Sequence, residues 1–297
     1  MSRPPRWGLV AAYAAICIIW GSTYLAIKVG LESFDPFFYA GVRYVFAAAI
    51  TFGVAKTQGV PFPGPLPRWW PAIGVGVLFV ALANGMVFWG ETRLDSGYTA
   101  LLLTTSPLWT AALSPLVPGE RSPSLLGLFG IGAGLLGTAI LVEPWHAGTI
   151  DLAAALVVEL SVVAWALGSL WVRRIRQSYH PMALSVVQMA AGAPLLLVVS
   201  AFTGRAVVGP VTPRAAASLA YLVVFGSVVA FAAYFYLLKH WDATRVSTST
   251  YVNPAVAVFL GALLLGEPVT ASMVAGTAVV LVGVTLVLRE QQVAVRT

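Results

Sequence analysis

Very few side chains in this sequence are equipped for chemistry, and those few stand inside long apolar stretches. Arg43 lies seven residues into the segment Pro36–Lys56, Glu159 eight residues into Asp151–Val172, and Asn84 six residues before the end of Trp70–Gly90. A charge inside an apolar span is costly, so it faces the interior of a helix bundle or a water-filled cavity. Counted along their segments the three reach a similar depth, which predicts a polar cluster of Arg43, Glu159 and Asn84. Its chemistry would be ion pairing with a solute or exchange of a proton, with Glu159 and Glu91 as the candidate titrating groups. A buried structural ion pair is the competing reading.

Two prolines form a second constellation. Pro107 follows Thr104-Thr105-Ser106, and Pro254 follows Thr248-Ser249-Thr250 and Asn253. Each is about ten residues into its segment, roughly 15 Å at the rise of a helix, and so near the middle of a bilayer. Proline lacks the N–H and displaces the carbonyl four residues earlier, which frees acceptors at Leu103 and Thr250. Freed backbone groups at that depth persist only beside protein or a cavity. Pro107 and Pro254 are therefore candidate hinges flanking a site. Aromatic side chains add a third group. Trp20 and Trp165 lie deep in their segments, with Tyr24, Tyr98, Trp109, Trp171, Tyr234 and Tyr251 adding surface for an organic, partly apolar solute. Cation–π contact with an amine is one use of such a surface. Trp7, Trp69, Trp70 and Trp241 fit an interfacial belt instead.

The elements that must position these residues follow from hydropathy. Of 297 residues 59% are hydrophobic and 9% charged, against about 25% charged in a soluble domain. Ten segments are apolar over about 20 residues, the length that crosses a bilayer. They run over 7–29, 36–56, 70–90, 96–117, 123–142, 151–172, 181–202, 215–238, 246–265 and 269–288. They lack the alternation of membrane strands, so the fold class is all-α integral membrane with ten transmembrane helices. With the N-terminus placed in the cytoplasm, Lys and Arg of the loops divide twelve to the cytoplasmic side against four outside. That bias predicts both termini cytoplasmic. It also accounts for the net charge of +6 without a nucleic-acid partner.

The chain repeats itself. Pro107, Gly119 and Glu120 recur as Pro254, Gly266 and Glu267 at an offset of 147 residues, and Gly21-Ser22 recurs as Gly168-Ser169. Five spans separate the copies, so the second copy enters the membrane from the other side. Two inverted five-helix repeats are a carrier architecture, with one midplane site opened alternately to each face. The repeats are placed at 1–145 and 148–290, with a cytoplasmic tail at 291–297. Gly130 and Gly134 form a GxxxG face in the fifth segment, expected to pack inside the chain. The monomer is the default state, with the lipid bilayer, a small organic substrate and protons as partners.

Other classes find little support. The sequence has no phosphate-binding loop, no HExxH and no nucleophile elbow, and Cys17 is the only cysteine. His146, His180 and His240 fall at segment ends. No cofactor, metal or catalytic residue is expected. A nucleotide-sugar or sugar-phosphate exchanger would want several basic residues in the cavity, where Arg43 stands alone. A lipid-modifying enzyme would want clustered His or Asp at a membrane face. A channel accounts less well for inverted repeats with midplane prolines.

At this point the residues resemble a known family. Trp20-Gly21-Ser22-Thr23-Tyr24, Gly41-Val42-Arg43, Asn84-Gly85-Met86 and the paired proline and Gly-Glu modules are similar to those of the EamA family of the drug/metabolite transporter superfamily. The resemblance covers nearly the whole chain and is strongest to bacterial inner-membrane members. It implies ten helices in two inverted repeats and secondary active export of amino acids, metabolites or drugs. It also implies a cavity lined by the first, third, fourth, sixth, eighth and ninth helices. On this chain that favours Trp20, Asn84, Thr104, Trp165, Tyr234, Tyr251 and Asn253 as substrate-binding residues. Arg43, Glu91, Glu159, Pro107 and Pro254 are left for coupling or gating.

Overall fold

The computed structural model describes residues 6–62, 64, 68–116, 122–143, 150–175, 178–240 and 249–296. Among the described residues each of the ten apolar segments forms helix. Six of the helices are Arg6–Gly30, Pro36–Thr57, Leu125–Val142, Leu152–Ile175, Pro181–Thr203 and Ser249–Leu265, the first, second, fifth, sixth, seventh and ninth. The third, Trp70–Gly90, and the eighth, from Pro213 to His240, each contain a π-helical stretch. The tenth, Ala271–Arg296, continues as helix through most of the tail assigned to 291–297. Among the described residues seven helices are long and apolar enough to span a bilayer, and shorter apolar helices make up the rest. Pairing between strands is limited, among these residues, to one isolated bridge, Phe34 with Val207, which ties a loop of the first half to one of the second.

Local sequence sets the helix ends. Asp35 caps the second helix by accepting from the Phe37 and Phe38 N–H groups at 3.1 and 2.9 Å, with Pro36 at the first position. Thr212 and Ser124 cap the eighth and fifth in the same way. His180 caps the seventh through its Nδ1, so the loop placement of this histidine has a structural use. Gly266 closes the ninth helix at φ +69°, a conformation that side chains with a Cβ rarely adopt.

The fourth segment is the exception to long helices. It runs as Ser96–Leu102, a 3₁₀ turn Leu103–Thr105, Ser106–Leu113 and a second 3₁₀ turn Ser114–Leu116. Pro107 removes the donor for Leu103, and the Ser106 N–H takes over that carbonyl in a tighter turn. Pro254 behaves differently: it lies buried within an uninterrupted helix. The two prolines are therefore not equivalent breaks.

Packing shows the inversion directly. In the fifth and tenth helices, a Cβ on Gly130 would meet the Gly283 carbonyl at 2.8 Å, and one on Gly137 would meet the Gly276 carbonyl at 2.8 Å. Numbers rise along one helix as they fall along the other, so these equivalent helices lie antiparallel, backbone against backbone through small residues. The GxxxG face thus packs inside the chain, and Gly134 receives Leu108. The third helix runs antiparallel to the sixth, with Gly74 against Trp171 and Gly90 against Val158. It runs parallel to the seventh, with Gly76 against Gln188 and Gly85 against Leu196. A buried cluster around Tyr39, Phe88, Met189, Leu196 and Leu222 joins the second, third, seventh and eighth helices. Large apolar side chains such as Leu128, Phe129 and Leu136 point outward, as a lipid-facing surface requires.

Candidate functional site

Glu159, within the sixth helix, meets two side-chain donors of another helix. The Trp109 indole Nε1–H donates to its Oε2 at 2.8 Å, and the Thr105 hydroxyl reaches the same oxygen at 3.2 Å. Both donors come from the broken fourth helix, so the first half of the chain holds a carboxylate of the second. Thr105 ends the 3₁₀ turn and Trp109 lies four residues on in the helix that starts at Ser106, the spacing that puts two side chains on one face. Glu159 is only half-buried, so the carboxylate keeps open capacity beside the Trp109 donor and the Thr105 hydroxyl, whose one proton is shared with the Leu102 carbonyl at 2.8 Å. Thr104, the residue expected to line a site, is buried and donates to the Leu101 carbonyl at 2.6 Å, as Thr105 does to the Leu102 carbonyl at 2.8 Å, but Thr104 has no contact with Glu159 among the hydrogen bonds of the described residues. Its neighbour Thr105 carries the contact; only the general Thr-Thr-Ser-Pro signal pointed to it.

Arg43, Glu159 and Asn84 do not meet as a cluster. Arg43 is buried at 6% exposure, donates its Nε to the Ser227 hydroxyl at 3.2 Å, and lies 4.9 Å from the Tyr44 ring centre. Asn84 donates its amide to the Phe79 carbonyl at 2.8 Å. Ser227 in turn donates to the Leu222 carbonyl at 3.0 Å. Asn84 and Ser227 thus do the same work in the two halves. Each donates to the carbonyl five residues earlier within a π-helical stretch, Asn84 at the end of Val77–Asn84 and Ser227 inside Leu222–Val229. Ser227 was not foreseen; the π geometry carries no local sequence signature beyond it.

The aromatic residues divide into two groups. Trp20 packs on Tyr234 at 5.5 Å and edge-on to Phe231 at 5.9 Å, joining the first and eighth helices. Trp165 stacks on Phe79 at 4.3 Å, joining the sixth and third, and retains 40% exposure. Asn253 faces two carbonyls; with its amide nitrogen turned to them it donates to Ser249 at 2.9 Å and to Cys17 at 3.3 Å. It thereby pins the ninth helix to the first, where Gly21 leaves room for Val256. The Tyr251 side chain lies outside the described residues.

A second polar centre stands where the third helix ends and the fourth begins. Glu267 reaches across from the end of the ninth helix and accepts from the Ser96 N–H at 2.8 Å, the Ser96 hydroxyl at 2.8 Å and the Gly97 N–H at 3.0 Å. A carboxylate at a helix N-terminus meets both unpaired donors and the positive end of the dipole. Gly261 must be small here, because a Cβ would fall 2.2 Å from the Glu267 Oε2. The Gly119-Glu120 twin lies outside the described residues. Lys28 donates to the Glu91 and Leu94 carbonyls at 2.9 and 2.7 Å. Asp95 shares this space; burial, then the charge of Glu267, pushes its carboxyl above the usual range against the pull of Lys28. Arg93 pairs with Asp151 at 3.0 Å on the surface. The bond from the Ala154 N–H, then Arg93, holds the Asp151 carboxyl below its ordinary range. Among the described residues no group of His, Cys, Asp and Glu has the arrangement of a metal site.

Comparison with known proteins gives this architecture its family. The EamA-like transporter family matches twice, over residues 6–143 and 152–289. The chain is 33% identical over 267 residues to the uncharacterized inner membrane transporter YedA of Escherichia coli strain K12, covering 87% of this chain and 83% of that one. It is 27% identical over 281 residues to a probable amino-acid metabolite efflux pump of Salmonella typhimurium, covering 90% of each. An uncharacterized transporter of Archaeoglobus fulgidus is 26% identical over 273 residues, covering 92% of this chain and 95% of the other. A solved crystal structure, 19% identical, superposes with a TM-score of 0.66 over 97% of this chain and 99% of its own, which bears on the fold alone. With two family units in tandem, helices that pair in opposite senses and a carboxylate shared between the halves, the chain belongs to the EamA-like transporter family and is a membrane transporter rather than an enzyme.

Proposed function

We propose that this protein is a secondary active transporter that exports a small organic solute across the inner membrane of a bacterial cell by alternating access. The observation that carries the reading is Glu159, a half-buried carboxylate within the sixth helix, held by Thr105 and Trp109 of the other half. A group bound between two halves that move against each other feels both conformations, as a substrate or coupling site must. The exposed face of Trp165 and the ring of Trp20 supply apolar surface on the first and sixth helices. Glu159 and Glu91 are the groups assigned to proton coupling, Arg43 to holding the second and eighth helices together, and Pro107 to the flexible break. Pro254, inside a continuous helix, is assigned a gating role through the ninth helix as a unit. Both termini are placed in the cytoplasm on the loop-charge bias. The name of the Salmonella relative makes amino acids and their metabolites the first solutes to try.

The test is a thermal-shift screen of the purified full chain against amino acids, polyamines and organic cations. A solute that stabilises wild type and fails to stabilise both Trp165→Ala and Glu159→Gln places the site between the sixth and fourth helices. A solute that stabilises both variants as well as wild type removes those residues from it.

A further inference from the structure

One acid beside the Glu267 contact has no partner. Glu91 follows the last residue of the third span, is 0% exposed, and neither of its carboxylate oxygens accepts a hydrogen bond. Most groups that face it are engaged elsewhere. From the first helix, Lys28 gives its ammonium to the backbone carbonyls of Glu91 and Leu94, the negative end of the helix dipole. From the second, Arg43 is turned to Ser227 and the Tyr44 ring, and the Tyr39 hydroxyl is bonded to Ala26 and Ser218. Glu267, from beyond the ninth helix, is filled by Ser96 and Gly97. Tyr24 lies within electrostatic reach, and Asp95 opens the fourth helix nearby. The sixth helix brings Ala154 and Val158 against Gly90 next in the chain. An ionised carboxylate without donors in such surroundings is strongly disfavoured, whereas the neutral acid leaves one hydroxyl and one carbonyl to accommodate.

We propose that Glu91 is a proton-binding site, occupied in the conformation seen here and emptied when the Glu267 contact opens. The inference rests on the transporter reading above and names its coupling ion and the residue that carries it. Binding is one proton from water added to one carboxylate oxygen, with no other bond changed; release is the reverse. On opening, separation of the fourth helix from the ninth admits water to Glu91 and frees Lys28 to turn from the two carbonyls to the carboxylate. The direction of the electrostatics agrees: burial raises the Glu91 carboxyl well above the usual range, the Lys28 charge opposes this, the Glu267 charge adds to it, and the Arg43 charge opposes it more weakly.

Infrared spectra of the full chain in lipid nanodiscs at neutral pH test this, with the proton as the probe. Wild type is expected to show a protonated-carboxyl C=O band that Glu91→Gln lacks and that Glu91→Asp and Glu267→Gln retain. A band unchanged in a folded Glu91→Gln protein, or absent from wild type at neutral pH, overturns the proposal. The wild-type spectrum by itself keeps the proposal refutable if Glu91→Gln fails to fold. The failure of the transporter reading is a separate result: wild-type proteoliposomes would then show no saturable exchange of any solute from the screen, whatever the infrared band. Where exchange is present, Glu91→Gln is expected to keep solute exchange and to lose at least tenfold of accumulation driven by a pH gradient; equal accumulation overturns the coupling role.

Discussion

Removing the Glu267 carboxylate is expected to weaken the whole fold, because it ties the end of the ninth helix, in the second half, to the start of the fourth helix in the first. It accepts three hydrogen bonds at 2.8, 2.8 and 3.0 Å. A bond to a charged group contributes about 1.5–3 kcal/mol. The contact is only half-buried, so water replaces part of it, and the three bonds form and break as a set. The net loss expected for Glu267→Ala is therefore about 2–4 kcal/mol rather than the sum. Glu267→Gln keeps one acceptor and the shape but loses the charge at the helix end, a loss of about 1–2 kcal/mol. Gly261 supplies an internal control. A methyl at this position meets the Glu267 Oε2 at 2.2 Å and the Ser96 Oγ at 2.9 Å, so Gly261→Ala must expel the carboxylate. Gly261→Ala is thus expected to cost about as much as Glu267→Ala, and the double variant little more than either single one. Equilibrium unfolding in mixed micelles gives the four free energies, and hydrogen exchange reports on the Ser96 and Gly97 amides. Additive losses in the double variant, or a loss under about 0.5 kcal/mol for Glu267→Ala, would refute the reasoning.

Three further outcomes are open to the same unfolding assay. Gly137→Ala places a methyl 2.6 Å from the Val280 nitrogen and is expected to cost about 1–3 kcal/mol through overpacking, whereas Gly132, with open space around it, gains up to about 1 kcal/mol on becoming alanine. Ser227→Ala removes the acceptor of the Arg43 Nε and the hydroxyl bond to the Leu222 carbonyl, an expected loss of about 1–3 kcal/mol, most of which Ser227→Thr should avoid. The Glu91 carboxyl is raised in the folded chain, so the native state holds the extra proton: its stabilising effect is complete below the ordinary carboxylate range and is lost as pH rises from there through the raised folded value. Melting temperature of wild type should therefore fall as pH rises above the ordinary carboxylate range, and this slope should flatten in Glu91→Gln; a slope that persists unchanged assigns it to another group.

The helices were legible because each apolar run is long, and their pairing was legible because the offset between Pro107 and Pro254 implied inversion, which Gly130 against Gly283 and Gly137 against Gly276 display. Depth was legible too, and it misled. Counting residues along a helix puts Arg43, Glu159 and Asn84 at one level but says nothing of rotation about the axis. Rotation comes from packing, and packing turns Arg43 to Ser227, Glu159 to Trp109 and Asn84 to its own backbone. Proline marks a weakness without deciding its outcome: at Pro107 a 3₁₀ turn takes over the orphaned carbonyl, while the helix around Pro254 runs on. The π-helical stretches had no forerunner in the sequence, since Asn84 and Ser227 act there through single carbonyl contacts five residues back. The Glu267 contact joins residues 171 apart; the recurring Gly-Glu pair signalled that something stood there, but not its partner.

The central claim is that solute moves through a site shared by the two halves at Glu159. Its most direct measurement is counterflow of a solute from the binding screen in proteoliposomes of wild type and Glu159→Gln. The account predicts saturable counterflow in wild type, reduced at least tenfold in Glu159→Gln with the protein folded. Counterflow of equal rate in the two, or unitary ionic currents in place of saturable exchange, would contradict it.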